Sequence, residues 1–502
     1  MTRRTFRFAL PAAVLAASTF VLAQGQLSTA DAELQYQLGM LLSEETRYDE
    51  ALDAFGRAVD TSDRDLALRA RKGVVRTQLK VAQFATARLQ AEQMKVEAPA
   101  DPEVLTLYAD ALWAAGLFDE ADSAYRDALA RNPESSRARY GVARSLATLS
   151  RLDEALTEAQ AALTAAPRDG EIHATLAEIY ERLHRYDEAA ASYTNFINLL
   201  PNKDHSEKAA WSRAQVRFLE AFAGRTPVDV DEQDNRMLHT VPFRLVEDKI
   251  VVQARVNGGP AQDFILDTGS EETVVSREVA QRRGVRPVTY TLSAGVGEVG
   301  LRGLQLARLD TLDIGTLTVR NLPVLIKNPA LRGVPKREYE SFSPLSLGMS
   351  MIIDYQQRML TIGRTLPVGQ PDVTLPMRVH RLAMVRGIVN AKQPAYFVVD
   401  TGGQVISISG DLAQRLEAPP YRRIPLRVWG TSGWDRDAHL LPGQAVSFDR
   451  IEYTNFPLVV LNLRAPSVLL GFELGGIVGH KFLSGYRVAM DMSRSELRLQ
   501  KF

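Results

Sequence analysis

Cysteine is absent from this 502-residue chain. That excludes disulfides, a thiol nucleophile, Cys-based zinc sites and lipid attachment through Cys. Histidine is scarce, at seven residues, and no HExxH occurs, so no metal or other cofactor is expected. An excess charge of either sign is missing as well. The 60 Lys and Arg balance the 60 Asp and Glu, which gives no support to nucleic acid or an anionic membrane as main partner. Beyond the amino-terminal segment no apolar run is long enough to span a bilayer, so no membrane span is expected in the mature protein. What is present is 45% apolar and 24% charged residues, enough for real cores, over a length that suggests about three domains.

The first residues read as an export signal. Arg3, Arg4 and Arg7 form a basic start, Phe8 to Leu22 is mostly apolar, and Val21-Leu22-Ala23 resembles a small-residue cleavage site. Residues 1–23 are therefore expected to be removed and the protein to be periplasmic or secreted. Thr2-Arg3-Arg4-Thr5-Phe6 also resembles a twin-arginine signal, and the choice between that route and general secretion stays open.

Residues 30–223 carry a repeat. Tyr48-Asp49-Glu50-Ala51 is echoed by Phe118-Asp119-Glu120-Ala121, Leu152-Asp153-Glu154-Ala155 and Tyr186-Asp187-Glu188-Ala189. Ala87, Ala121, Ala155 and Ala189 are spaced by 34, as are Pro99, Pro133, Pro167 and Pro201. A small residue at the Ala position lets two helices approach, and an aromatic four residues on (Phe55, Tyr125, Tyr193) fills the space on the same face. Pro ends the second helix of each unit. The pattern resembles the tetratricopeptide repeat, which implies an α-solenoid of five units with a capping helix from Ser206 to Ala223, and a concave groove for a peptide or partner protein. A spacing or assembly role fits the same pattern. Residues 224–238, with Asp229, Asp231, Glu232 and Asp234, lack apolar periodicity and are expected to be a solvated linker.

The remainder is written twice. Phe264-Ile265-Leu266 leads into Asp267-Thr268-Gly269-Ser270, and Phe397-Val398-Val399 into Asp400-Thr401-Gly402-Gly403, an offset of 133. Ser276 and Ser409 then open matching short helices. Glycine-rich hairpins follow, with Gly295, Gly297, Gly300 and Gly303 in the first copy and Gly430 and Gly433 in the second. Apolar-Gly elements come next, at Leu347-Gly348 and Ile477-Val478-Gly479, and each copy closes with a strand pair.

This layout resembles the retropepsin-like aspartic peptidases, over lobes expected at residues 239–365 and 366–502. The resemblance implies a multidomain protein: a tetratricopeptide α-solenoid followed by two mostly β lobes that form a bilobal peptidase. It further implies Asp267 and Asp400 as the catalytic pair, Thr268 and Thr401 as mutual braces, and Gly269 and Gly402 as tight-turn residues. Gly295, Gly297, Gly300, Gly430 and Gly433 would belong to flaps over an extended peptide or protein substrate. Two carboxyls sharing one proton supply both an activated water and an acid for the leaving nitrogen, because like charges at close range cannot both ionise. With both lobes in one chain the site is expected to be intramolecular, with pairing between two chains as the alternative.

Two departures stand out. Gly403 replaces the hydroxyl or alanine usual in that family, and Ser346 interrupts the first apolar-Gly element. Ser270 is placed to hydrogen-bond the Asp267 carboxylate, and Gly403 cannot do so for Asp400, so the shared proton is expected to sit toward Asp400. The departures keep an alternative open, an inactive peptide-binding adaptor of the cell envelope. Trp429 and Trp434 are candidates for a pocket wall or for packing, and His480 is expected to be a solvated loop residue.

Overall fold

The computed structural model describes residues 27–297, 302–327, 340–416 and 423–502. The proposed signal lies outside the described residues. Five helical hairpins come first: α1 (Thr29–Glu44) with α2 (Tyr48–Val59), α3 (Arg64–Lys80) with α4 (Phe84–Glu97), α5 (Pro102–Ala114) with α6 (Phe118–Arg131), α7 (Ser136–Thr148) with α8 (Leu152–Ala165), and α9 (Gly170–Arg182) with α10 (Tyr186–Leu199). A final helix, α11 (Glu207–Glu220), caps the array.

The local causes repeat with the units. Asp63, Asp101, Ser135, Asp169 and Ser206 each accept a backbone amide at the start of α3, α5, α7, α9 and α11, satisfying donors that have no partner within the helix. Ala51, Ala87, Ala121, Ala155 and Ala189 are fully buried, and so, nearly, are Phe55, Tyr125 and Tyr193. The packing is tight enough that a Cβ at Gly73 would lie 2.7 Å from the Phe55 ring. No helix among the described residues is long and apolar enough to cross a membrane.

The segment between array and lobes is exposed at both ends but anchored in its middle. Val228 and Val230 are buried in the core of the first lobe. Asp229 exchanges backbone hydrogen bonds with Arg320 and receives its Nε at 2.9 Å, and Asp231 also pairs with the Arg320 guanidinium. Two of the four acidic residues that suggested solvation, Asp229 and Asp231, instead pair with one arginine, with the two valines turned inward.

The first lobe is an eight-stranded sheet. The second continues a sheet that the two copies share. The terminal strand pairs, Ser350–Asp354 with Met359–Gly363 and Tyr486–Asp491 with Glu496–Lys501, lie side by side, with Ile352 opposite Ala489. Both lobes are thereby joined by main-chain hydrogen bonds within one chain, over one continuous apolar core.

The array packs on the second lobe. Trp113 and Phe118 meet His380, Tyr396 and Phe472 edge to face, at centroid separations of 4.9–6.4 Å. Arg378, 4% exposed, donates to Asp119 at 2.7 Å and to Thr148 at 2.9 Å, while Tyr396 donates its hydroxyl to Asp119 at 2.8 Å. Arg386 pairs with Asp119 and Glu120. Burial alone would raise the Asp119 carboxyl, but Arg378, Tyr396 and Arg386 together hold it below the usual range. On the first lobe, α11 lies against the strand Pro287–Ser293, and Trp211 Nε1 donates to Thr291 Oγ1 at 3.1 Å.

Candidate active site

Two apolar strands deliver the two Asp-Thr-Gly loops. Gln262–Leu266 ends at Asp267 and Gln393–Val399 at Asp400. Each strand is flanked by a parallel neighbour, Glu340–Phe342 in the first lobe and Gly476–Val478 in the second. The first of these corrects an expectation, since the counterpart of Ile477-Val478 is Ser341-Phe342 and not Leu347-Gly348. Leu347 ends a 3-10 turn, with Gly348 at φ +65° as its cap. The strand is hard to see in sequence because it begins with Glu340, whose buried carboxylate accepts the Ser276 amide.

The loops meet through their threonines. Thr268 Oγ1 donates to the Val399 carbonyl at 2.6 Å and accepts the Thr401 amide at 3.0 Å. Thr401 Oγ1 donates to the Leu266 carbonyl at 2.7 Å and accepts the Thr268 amide at 3.1 Å. Both threonines are buried, and each braces the backbone of the opposite lobe. The carboxylates are close together: the point where a Cβ at Gly402 would fall is 2.5 Å from an Asp267 oxygen and 3.1 Å from an Asp400 oxygen. A Cβ at Gly269 would lie 2.5 Å from the Asp400 carboxyl carbon, so both turns need glycine for close approach.

The two carboxylates are held differently, and not as the sequence suggested. Ser270 donates its hydroxyl to the Glu272 carbonyl at 2.8 Å rather than to Asp267, which receives the Gly269 amide at 3.2 Å. Asp400 accepts two amides on one oxygen, from Gly402 at 2.7 Å and Gly403 at 2.8 Å. The glycine without a hydroxyl thus contributes its backbone instead. Burial, and then the charge of Asp267, push the Asp400 carboxyl up to about 6 against the pull of those amides and of Lys249.

The glycine-rich hairpins cross over the cleft. Gly295 donates to Ser432 Oγ at 3.1 Å, and the Ser432 amide donates to the Val296 carbonyl at 3.1 Å. Gly297 packs on the Ser432–Gly433 backbone and Gly430 on Val296. Gly300 lies outside the described residues. Trp429 and Trp434 are cross-strand partners in the second hairpin, both half-buried, and Trp429 faces the cavity. His480 is not solvated. It is buried against Tyr355 at a centroid separation of 5.2 Å, and burial lowers its pKa.

The cleft opens into a cavity of about 1830 Å³ whose far wall is the array. Helix α9 contributes Glu178 and Glu181, and α11 contributes Trp211 and Gln215, facing Glu271 and Glu272 beyond the first catalytic loop. Arg381 pairs with Glu271 at 2.5 Å, and Gln215 donates to Glu181 at 2.6 Å. Burial, reinforced by Glu178, pushes the Glu181 carboxyl up to about 7. Glu178 and Glu272 are raised for the same reason. This wall was invisible in the sequence, because α9 and Glu271 are remote along the chain and nothing in the repeat pattern marks Glu178 or Glu181.

These features define a two-lobed, retropepsin-like aspartyl-protease fold behind a tetratricopeptide array. Residues 252–351 and 385–474 match the family model described as aspartyl protease, one stretch in each lobe. Residues 32–64, 107–170 and 144–203 match tetratricopeptide repeat models. Among solved structures, the chain is similar to a thermophilic tetratricopeptide protein of Thermus thermophilus, with 24% identity over 37% of this chain and 98% of that one, and a TM-score of 0.32. A MamA variant shows 21% identity over 34% and 96%, with a TM-score of 0.23. YrrB, a tetratricopeptide protein with an unusual peptide-binding site, shows 19% identity over 36% and 92%, also at 0.23. No curated protein matches the chain.

Proposed function

We propose that this protein is an exported aspartic endopeptidase that hydrolyses peptide bonds with a water activated by Asp267 and Asp400. The observation that carries this reading is the convergence of the two carboxylates on one point beneath crossed hairpins. Asp400, its pKa raised, holds the shared proton and serves as the acid toward the substrate. Ionised Asp267 takes a proton from the water. The roles exchange as the tetrahedral intermediate collapses and the leaving nitrogen is protonated, so the acid and base belong to the pair. Substrate lies extended under the hairpins, its main chain giving affinity and its alternating side chains specificity. The array acts as a wall of the substrate chamber and receives protein substrates there. The basic and apolar amino terminus supports export.

Digestion of a peptide library across pH, with Asp267→Asn and Asp400→Asn in parallel, tests the reading. Cleavage by the parent that is lost in both variants supports it. A folded parent that cleaves nothing at any pH, or cleavage that survives both substitutions, overturns it.

A further inference from the structure

Lys249 opens the first-lobe strand Lys249–Val256, and its side chain reaches across to the other lobe. Its Nζ donates to the carbonyl of Gly402, within the second catalytic loop. The amide of the same glycine donates to Asp400, so one residue links the lysine to the carboxylate. Lys249, Asp267 and Asp400 all face the same cavity. The dyad's own chemistry does not call for a cation here, and a neutral donor would also satisfy the Gly402 carbonyl.

We propose that Lys249 is a positioning residue of the dyad, which fixes the Asp400 loop through Gly402 and supplies a positive charge that favours ionisation of the pair. The groups bearing on Asp400 are Asp267 from the first loop, Lys249 from the first-lobe strand, and the amides of Gly402 and Gly403. Behind the loop, His480 donates its backbone amide to the Gly403 carbonyl, and its ring senses Asp248 and Lys249. An opposite charge at close range stabilises a carboxylate. Without Lys249 the pair keeps its last proton to higher pH.

The inference rests on the peptidase reading for its kinetic readout only. Lys249→Gln keeps a donor for Gly402 and removes the charge, Lys249→Arg keeps both, and Lys249→Met removes both. The alkaline limb of the kcat/KM profile is expected to move up by about one pH unit in the Gln and Met variants and to stay in place with Arg. Met alone is expected to lower kcat further, through the released loop. A fall in kcat with no movement of the limb in the Gln variant would overturn the proposal. Should the parent cleave nothing, the Asp400 carboxyl titration by 13C NMR carries the same test. An upward shift in Lys249→Gln supports the proposal whatever the fate of the peptidase reading, and an unchanged titration refutes it. If neither neutral variant folds, the Lys249 13Cε signal of the parent is expected to follow the Asp400 step, and a signal blind to that step refutes the proposal equally.

Discussion

Thr268 and Thr401 hold each other's loops: each donates its hydroxyl to the carbonyl just ahead of the opposite Asp and accepts the opposite threonine's amide. Replacing either by Val keeps the shape and leaves buried carbonyl and amide groups without partners. The expected cost is about 1–3 kcal/mol for each Val substitution. Urea unfolding should show that loss, with Thr→Ser nearly neutral. The double Val variant should lose less than the sum of the singles, because both serve one network.

The glycines of the two turns are set by the carboxylates. Gly269→Ala and Gly402→Ala place a methyl against Asp400 and Asp267 respectively, so the dyad must move apart. Both variants are expected to fold with a loss of about 1–3 kcal/mol. Their cleavage rates should fall by at least roughly 100-fold, since displacements near 1 Å are that costly to catalysis. Gly303→Ala, where an added Cβ meets nothing within 4 Å, is the neutral control. Full activity in Gly402→Ala would contradict the geometry.

The docking of array to lobe centres on Asp119. Asp119→Ala leaves buried Arg378 without its carboxylate. Asp119 is itself partly exposed, so the expected cost is about 1–3 kcal/mol rather than that of a fully buried pair. Faster proteolysis between array and second lobe should accompany it. The equivalent acid of the next repeat, Asp153, is exposed, and Asp153→Ala should stay within about 0.5 kcal/mol of the parent.

Four carboxyls with raised pKa values each withdraw stability as pH rises from acid toward neutral, while Glu171, Asp119, His184 and His380 act in the opposite sense. Asp400, Glu178, Glu181 and Glu272 all bind protons more tightly folded than unfolded. Their contribution is therefore full below the ordinary carboxyl range and is lost as pH rises through the folded values. For Asp400 that window runs from 3.8 to about 6, and for Glu181 from 4.5 to about 7. Thermal melts across this range should show the Tm of Glu181→Gln rising relative to that of the parent as pH increases. A constant difference between the two proteins across the range would show that the Glu181 carboxyl is not raised.

The repeat and the duplicated loops were legible because each is a local rule written several times. Ala121, Ala155 and Ala189 recur for one packing reason, and two apolar strands each run into Asp-Thr-Gly. What escaped depends on partners far away in sequence. Asp119 looks like Asp49, Asp153 and Asp187, yet it alone of these four meets Arg378 and Arg386, more than 250 residues on. Asp229 and Asp231 read as solvated until Arg320 is set beside them. Glu340 disguised a buried strand because its carboxylate is satisfied by a backbone amide that no pattern announces.

The shared sheet has a consequence for direction. A cleft made from two identical chains is blind to which way a strand enters, because its halves are interchangeable. Here the halves are covalently joined and free to differ. One side of the chamber carries Glu271, Glu272 and the carboxylates of α9, while the matching positions past the second loop are Gln404 and Val405. The chamber is therefore unlike on the two sides of the dyad, acidic side chains following the first loop where an amide and an aliphatic side chain follow the second.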